Sequence, residues 1–363
     1  MEKILKKFDH WFQCICCVAS YVSTLPQQLP SVESEFAEVR TERILKRKIK
    51  GRCKTHLGFN AYFPDVLKFQ KYILNLLTVL EARWFRVDFP YSILADDPLK
   101  LEATDNLVKE ASRRRINLLP ILGTWTTGKP DYPRDCVKFL KYVENIVSRY
   151  SDTIECYEFW NEPNCIWFWH SSIDQYVNLL KTVARKIKEI NPQVKLGLSV
   201  AWPWSPGLAW ALKFIEKVWS KGGLKRVDFI GLHGYPGTWE VGNSKTWTQR
   251  IRQTRSLLES INEDKEIWVT EFGYYAFKTK LYYPHVPKLQ TAYLKESYKA
   301  IAETGEVPVA VWYCLFDPFT FPKFNLQALF FQEHGFGLYT RDFQPKDPEI
   351  LKTVREITSN TSI

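Results

Sequence analysis

Two glutamates with aromatic and apolar neighbours carry the most chemical promise in this sequence. Glu162 stands in Tyr157-Glu-Phe-Trp-Asn-Glu-Pro-Asn164, and Glu271 stands in Thr270-Glu-Phe-Gly273, 109 residues further on. A solvated surface carboxylate seldom has such company. Two facing carboxylates suit acetal cleavage, because one can protonate the leaving oxygen while the other attacks the anomeric carbon. At a separation of about 5–5.5 Å the second is a nucleophile and the anomeric configuration is retained. Asn60, Arg86, Trp125, Asn161, His233, Tyr235 and Trp312 fall in comparable places, at or just beyond the ends of short apolar runs. Each has a plainer use as well: Arg86 could pair with Glu158, and His233 could be a hydrogen-bonded core residue. The six His are scattered, with no His-x-His after the first apolar run, so no metal site is expected.

These residues need a frame that gathers them. From His56 onward, apolar runs at 56–62, 83–89, 117–123, 155–160, 194–200, 227–233, 266–270 and 307–315 alternate with helical patterns. The clearest helical patterns cover 66–80, 101–114, 137–149, 173–190 and 289–303. Eight strand–helix units over 260 residues match a (β/α)8 barrel, which takes about 250. A doubly wound sheet also alternates, but no Gly-rich phosphate turn follows an early strand, so no nucleotide cofactor is expected. The pattern predicts one α/β domain, a TIM barrel over 56–357, with an N-terminal extension at 1–55 and a tail at 358–363. Chemistry in such a barrel sits at the C-terminal ends of the strands, where the residues named above cluster.

Those segments resemble the clan of retaining (β/α)8 glycoside hydrolases, clan A, and within it family 39. That family is the group of β-xylosidases, α-L-iduronidases and bacterial exopolysaccharide endoglycosidases. The similarity includes Arg83-Trp-Phe-Arg-Val-Asp-Phe-Pro-Tyr-Ser92, His233-Gly-Tyr235 and Gly335-Phe-Gly-Leu338, and it covers about residues 56–357. It implies that Glu162 is the acid/base and Glu271 the nucleophile. Asn161 would then bond the sugar 2-hydroxyl, Pro163 would fix the turn, and Tyr235 and Arg86 would hold the Glu271 carboxylate. His233 would contact the sugar or Tyr235, and Trp312 would form the floor under the sugar ring. Trp125 and Asn60 complete the substrate-binding set, with no metal or other cofactor. There are two departures: Leu80-Glu-Ala-Arg83 precedes the second strand where the clan commonly has a glycine, and the first strand lacks an acidic or His partner.

The composition fits this reading. Hydrophobic residues make up 45% and charged residues 25%, as in a folded domain, and 14 Trp, 18 Tyr and 23 Phe supply flat surfaces suited to sugar faces. Such rings in the βα loops either line subsites or pack the loops onto the barrel. No apolar run reaches the 18–20 or so residues of a spanning helix, which excludes a channel or transporter. Eight scattered Cys exclude a disulfide framework, and Cys156 and Cys314 read as buried thiols. Half of the formal charge of +10 lies in residues 1–55, which hold 11 Lys/Arg and 6 Asp/Glu. This stretch, with Cys14, Cys16 and Cys17, imitates a signal peptide imperfectly, so a cytoplasmic or peripheral-membrane location is favoured over secretion. It is a candidate contact for a membrane surface or an anionic polymer; no nucleic-acid motif accompanies it. The expected function is a retaining glycosidase acting on an oligo- or polysaccharide through a covalent glycosyl-enzyme intermediate. A catalytically silent carbohydrate-binding protein on the same scaffold stays open, as does a scaffold acting through the basic N-terminus.

Overall fold

Eight parallel strands close into a barrel: β1 His56–Asn60, β2 Trp84–Pro90, β3 Asn117–Gly123, β4 Cys156–Phe159, β5 Lys195–Trp202, β6 Phe229–Gly234, β7 Glu266–Phe272 and β8 Val309–Trp312. The structure, a computed structural model, describes residues 53–359 apart from 124, 127–128, 131–134, 166–167, 203–207, 236–244, 277–285 and 319–334. The chain divides into units 1–50 and 51–363, and all described residues lie in the second, so the readings of the N-terminal extension fall outside them. Among the described residues no helix is long and apolar enough to cross a membrane.

The main helices are α1 Phe63–Val79, α2 Pro98–Arg113, α3 Cys136–Arg149, α4 Ile173–Ile190, α5 Leu208–Ser220, α6 Lys245–Ser260, α7 Pro287–Glu303 and α8 Ile350–Ser359. Their starts follow from local chemistry. Ser172 and Gln175 form a reciprocal capping box on α4, and Asp97 accepts from the Leu99 and Lys100 amides at the start of α2. Tyr176, Val177, Leu180, Val183, Ala184 and Ile187 then give α4 one buried stripe.

Inside the barrel the lowest layer is apolar. Trp84, Leu119, Cys156, Phe229, Trp268, Val309 and Val311 pack together, with Phe229 and Trp268 stacked at 4.1 Å between ring centroids. Polar side chains begin one level above this plug, so the core supports the site from beneath.

One irregularity decides where Glu271 points. Along β6, Gly231 pairs with Trp268 but His233 pairs with Glu271, and along β8, Ala310 pairs with Val269 but Trp312 with Phe272. Both neighbours advance two residues while β7 advances three, which is a β-bulge. Strict alternation from Trp268 and Thr270 would turn Glu271 outward. The bulge turns it in.

Candidate active site

Glu162 lies just beyond β4 on a turn that few sequences would adopt. Trp160 and Glu162 have φ of 64° and 43°, the left-handed region that costs a side-chain-bearing residue about 1–3 kcal/mol. The surroundings hold the turn in place. The Glu162 amide donates to Ser199 Oγ (3.1 Å), whose hydroxyl donates to the Trp160 carbonyl (3.2 Å). Asn164 ties the segment to β5 twice, donating to the Ala201 carbonyl at 2.8 Å and accepting from the Ala201 amide at 2.9 Å. Trp160 Nε1 donates to the Phe168 carbonyl at 2.8 Å.

Arg86, fully buried on β2, organises the centre. Its Nε donates to Glu158 Oε2 at 2.6 Å, its Nη1 to Glu271 Oε1, and its Nη2 to Asn161 Oδ1 at 2.9 Å. The two readings of Arg86 are therefore not alternatives: it bonds both Glu158 and Glu271. Tyr235 donates its hydroxyl to Glu271 Oε2, and its own ionisation lies well above the ordinary range because of burial and the Glu271 charge. Burial lowers the pKa of Arg86, but Glu158 and Glu271 outweigh it, leaving the cation firmly protonated.

His233, at the end of β6, is buried and links the pair. Its Nδ1 lies 2.9 Å from Glu162 Oε1 and 3.6 Å from Glu271 Oε2, and its Nε2 lies 3.0 Å from Thr270 Oγ1. Burial, with Arg86 adding to it, pushes His233 down to about 4, so the ring is neutral at pH 7. A neutral ring carries one proton, and donation from Nδ1 to the Glu162 carboxylate leaves Nε2 to accept from Thr270. Burial raises Glu162 to about 7, with Arg86 opposing and Glu158 reinforcing the shift. Burial likewise raises Asp88, on β2, to about 6.

One donor atom each of Glu162, His233 and Glu271 lie within 4.8 Å of one another, a group compact enough for a metal ion. The Arg86 guanidinium already donates into this group, supplying the positive charge that a cation would bring.

The structure corrects the reading of Trp312. Val309 and Val311 point into the barrel, so Trp312 points out, fully buried between strands and helices against Phe272 (5.2 Å) and Tyr293 of α7 (6.4 Å). A sugar floor needs an open ring face, and Trp312 has none. The next residue, Tyr313, is part-exposed and edge-on at 6.2 Å to Tyr235, whose hydroxyl bonds Glu271. Asn60 is buried at the end of β1, in register with Arg86. The Trp125 side chain lies outside the described residues. Among the other mouth aromatics, Trp169, Trp202, Trp247 and Tyr274 are buried packing residues, whereas 167, 204, 239, 282, 283, 319 and 321 lie outside the description. Sequence reasoning passed over Ser199 and Thr270, whose signal was an inward strand position three and two residues before a strand end.

A parallel eight-stranded barrel with paired carboxylates at the strand ends is an arrangement similar to that of the clan A glycoside hydrolases. The family model for glycosyl hydrolases family 39 matches residues 125–304, so this stretch of the barrel is similar to that family. No curated protein matches the chain. Three solved structures share the fold. A family 39 glycoside hydrolase from Bacteroides cellulosilyticus WH2 is 20% identical, with TM-score 0.62 and coverage of 84% of this chain and 63% of that one. An exo-β-1,4-mannosidase from Opitutaceae bacterium strain TAV5 is 14% identical, with TM-score 0.60 and coverage of 84% and 60%. A family 1 β-glucosidase from Thermotoga maritima is 12% identical, with TM-score 0.61 and coverage of 82% and 88%. The chain thus spans about three fifths of the length of the first two.

Proposed function

We propose that the protein is a retaining glycoside hydrolase that cleaves O-glycosidic bonds of an oligo- or polysaccharide by double displacement. One observation carries this reading: Glu162 and Glu271 bring carboxylate oxygens within 4.8 Å of each other, near the short separation of retaining enzymes rather than the roughly 6.5–9.5 Å of inverting ones. In the first step Glu162, protonated below about pH 7, gives its proton to the glycosidic oxygen as a Glu271 oxygen attacks the anomeric carbon. The bond to the leaving group breaks and a glycosyl ester forms on Glu271. In the second step the Glu162 carboxylate takes a proton from water, the hydroxyl attacks the anomeric carbon, and Glu271 leaves as a carboxylate.

Arg86 and Tyr235 place the Glu271 oxygens for attack, and neutral His233 steers Glu162. Asn161 gives its carbonyl to Arg86, which turns its amide NH2 toward the sugar 2-hydroxyl. Asn60 contributes a polar edge at the end of β1, and Tyr313 takes the place expected of Trp312 as the apolar surface under the ring. The test is an aryl glycoside panel with Glu162→Ala and Glu271→Ala. Each variant loses at least about 10²-fold in turnover, and azide restores the second, giving a glycosyl azide of opposite anomeric configuration. Near-normal turnover in either variant would remove that residue from the mechanism.

A further inference from the structure

We propose that Glu158 is a positioning residue of this site: a buried carboxylate that anchors Arg86 from below and, through its charge, keeps the proton of the catalytic pair on Glu162. The inference rests on the acid role proposed for Glu162. The motif reading of β4 stops at Asn161 and Glu162, but Glu158 sits one level lower, on the same strand, with no exposure at all. Its Oε2 accepts from Arg86 Nε at 2.6 Å, while Nη1 of the same guanidinium serves Glu271. One cation thus lies between two carboxylates. Arg86 neutralises one negative charge, and the other remains in the site.

Arg86 Nε needs an acceptor, but it does not need a second charged one. Glu271 already pairs with the guanidinium, and Asn161 accepts from it. Moreover, Glu158 Oε1 is buried with no hydrogen-bond partner among the described residues, a cost that a structural strut would avoid. The facing strand makes room for it: a Cβ on Gly231 would sit 2.5 Å from Glu158 Oε1 and 2.3 Å from Thr270 Oγ1. A neutral amide could also accept from Arg86 Nε, though less strongly than a charged partner.

Its consequence falls on Glu162. The groups acting on that carboxyl are Arg86 of β2, Glu158 of β4, His233 and Tyr235 from β6 and, within 4.8 Å, Glu271 of β7, while Asp88 of β2 acts on Arg86, Glu271 and Glu158. His233 and Tyr235 are neutral near pH 7, so the balance is set by one guanidinium against carboxylates. With Glu158 and Glu271 both charged, ionising Glu162 adds a further negative charge to a group already net negative. Glu158 reinforces what burial does to Glu162. Without it, Arg86 and Glu271 would cancel, and Glu162 would give up its proton more readily.

The experiment follows the Glu162 carboxyl carbon by ¹³C NMR in the full chain labelled at glutamate, with the resonance assigned by its loss in Glu162→Gln. In Glu158→Gln the midpoint falls by about one pH unit. In Glu158→Asp, which keeps the charge, it stays near the wild-type value. The basic limb of kcat/KM on an aryl glycoside moves in the same direction in Glu158→Gln, which a strut lost to packing would not produce. An unchanged midpoint in Glu158→Gln, or an equal fall in Glu158→Asp, overturns the proposal. Should Glu158→Gln fail to fold, Glu158→Met takes its place as the variant without the charge: a lowered midpoint supports the inference and an unchanged one refutes it. If the midpoints move as expected while Glu162→Gln hydrolyses at the wild-type rate, the charge coupling stands and the acid role falls.

Discussion

Two chemically identical carboxyls stand within 4.8 Å of each other, and their neighbours separate them. Glu271 accepts from a guanidinium and a phenol, whereas among the described residues the side-chain group bonded to the Glu162 carboxylate is a neutral imidazole. Opposed environments of this kind divide acid from nucleophile. They also make stability depend on pH. The Glu162 pKa is raised from 4.5 to about 7, so across that window the folded protein holds a proton that the unfolded chain has released. Stability therefore falls as pH rises through the window, and the whole loss is present above it. Glu162→Gln removes this term, so its melting temperature relative to wild type rises more at about pH 8 than at about pH 5. An equal difference at the two pH values would contradict the assigned shift.

At the level of elements, helix ends are stereotyped although their residues are not. After α1 the Glu81 amide bonds the Thr78 carbonyl and the Ala82 amide bonds Leu77, a Schellman pair centred on Glu81 at φ 53°. The same pattern follows α2 at Arg115 (φ 57°) and α6 at Asn262 (φ 60°). Glu81 falls in the segment where the clan commonly has glycine, so the backbone keeps the left-handed turn although the residue resists it. Glu81→Gly accordingly stabilises the protein by about 0.5–1 kcal/mol in urea unfolding. Asn262→Gly gains less, because asparagine tolerates this conformation. A loss of stability in Glu81→Gly would show that contacts of the Glu81 side chain outweigh the backbone cost.

Over the whole molecule, closure joins distant parts of the chain. His56 of β1 pairs with Val309 of β8, Thr55 Oγ1 donates to the Val307 carbonyl at 2.6 Å, and Tyr298 donates to the Thr55 carbonyl at 2.6 Å. Behind the mouth a second tie gathers the segments that follow β7 and β8. Buried Lys346 donates to the carbonyls of Ala276 (3.0 Å) and Gly335 (2.9 Å) and to Asp317 Oδ1 (2.8 Å). Burial raises Asp317 to about 6, with Lys346 opposing the shift. Lys346→Met leaves that carboxylate unpaired and costs about 3–5 kcal/mol at neutral pH. The cost shrinks toward about pH 5, where Asp317 is protonated in the folded state. Chemical unfolding at the two pH values reads this difference, and a pH-independent loss would mean that Asp317 is not the group left exposed.

How much of this was legible in the sequence follows from the range of each signal. Eight apolar runs separated by amphipathic stretches, with Glu162 and Glu271 at strand ends, determined the barrel and brought out the candidate pair of carboxylates, because strand and helix periodicity is local and strand ends face one mouth. The sequence also put Arg86, Asn161, His233 and Tyr235 near that mouth. Facing was another matter, since a one-residue offset reverses every side chain on a strand. Alternation along β8 turned Trp312 outward and left Tyr313 against Tyr235. The bulge in β7 turned Glu271 inward against the same rule. The partners of a buried charge are equally invisible from spacing alone. That Arg86 serves Glu158, Glu271 and Asn161 together is settled only when β2, β4 and β7 pack around one guanidinium, since desolvation forces each of its donors to find an acceptor there.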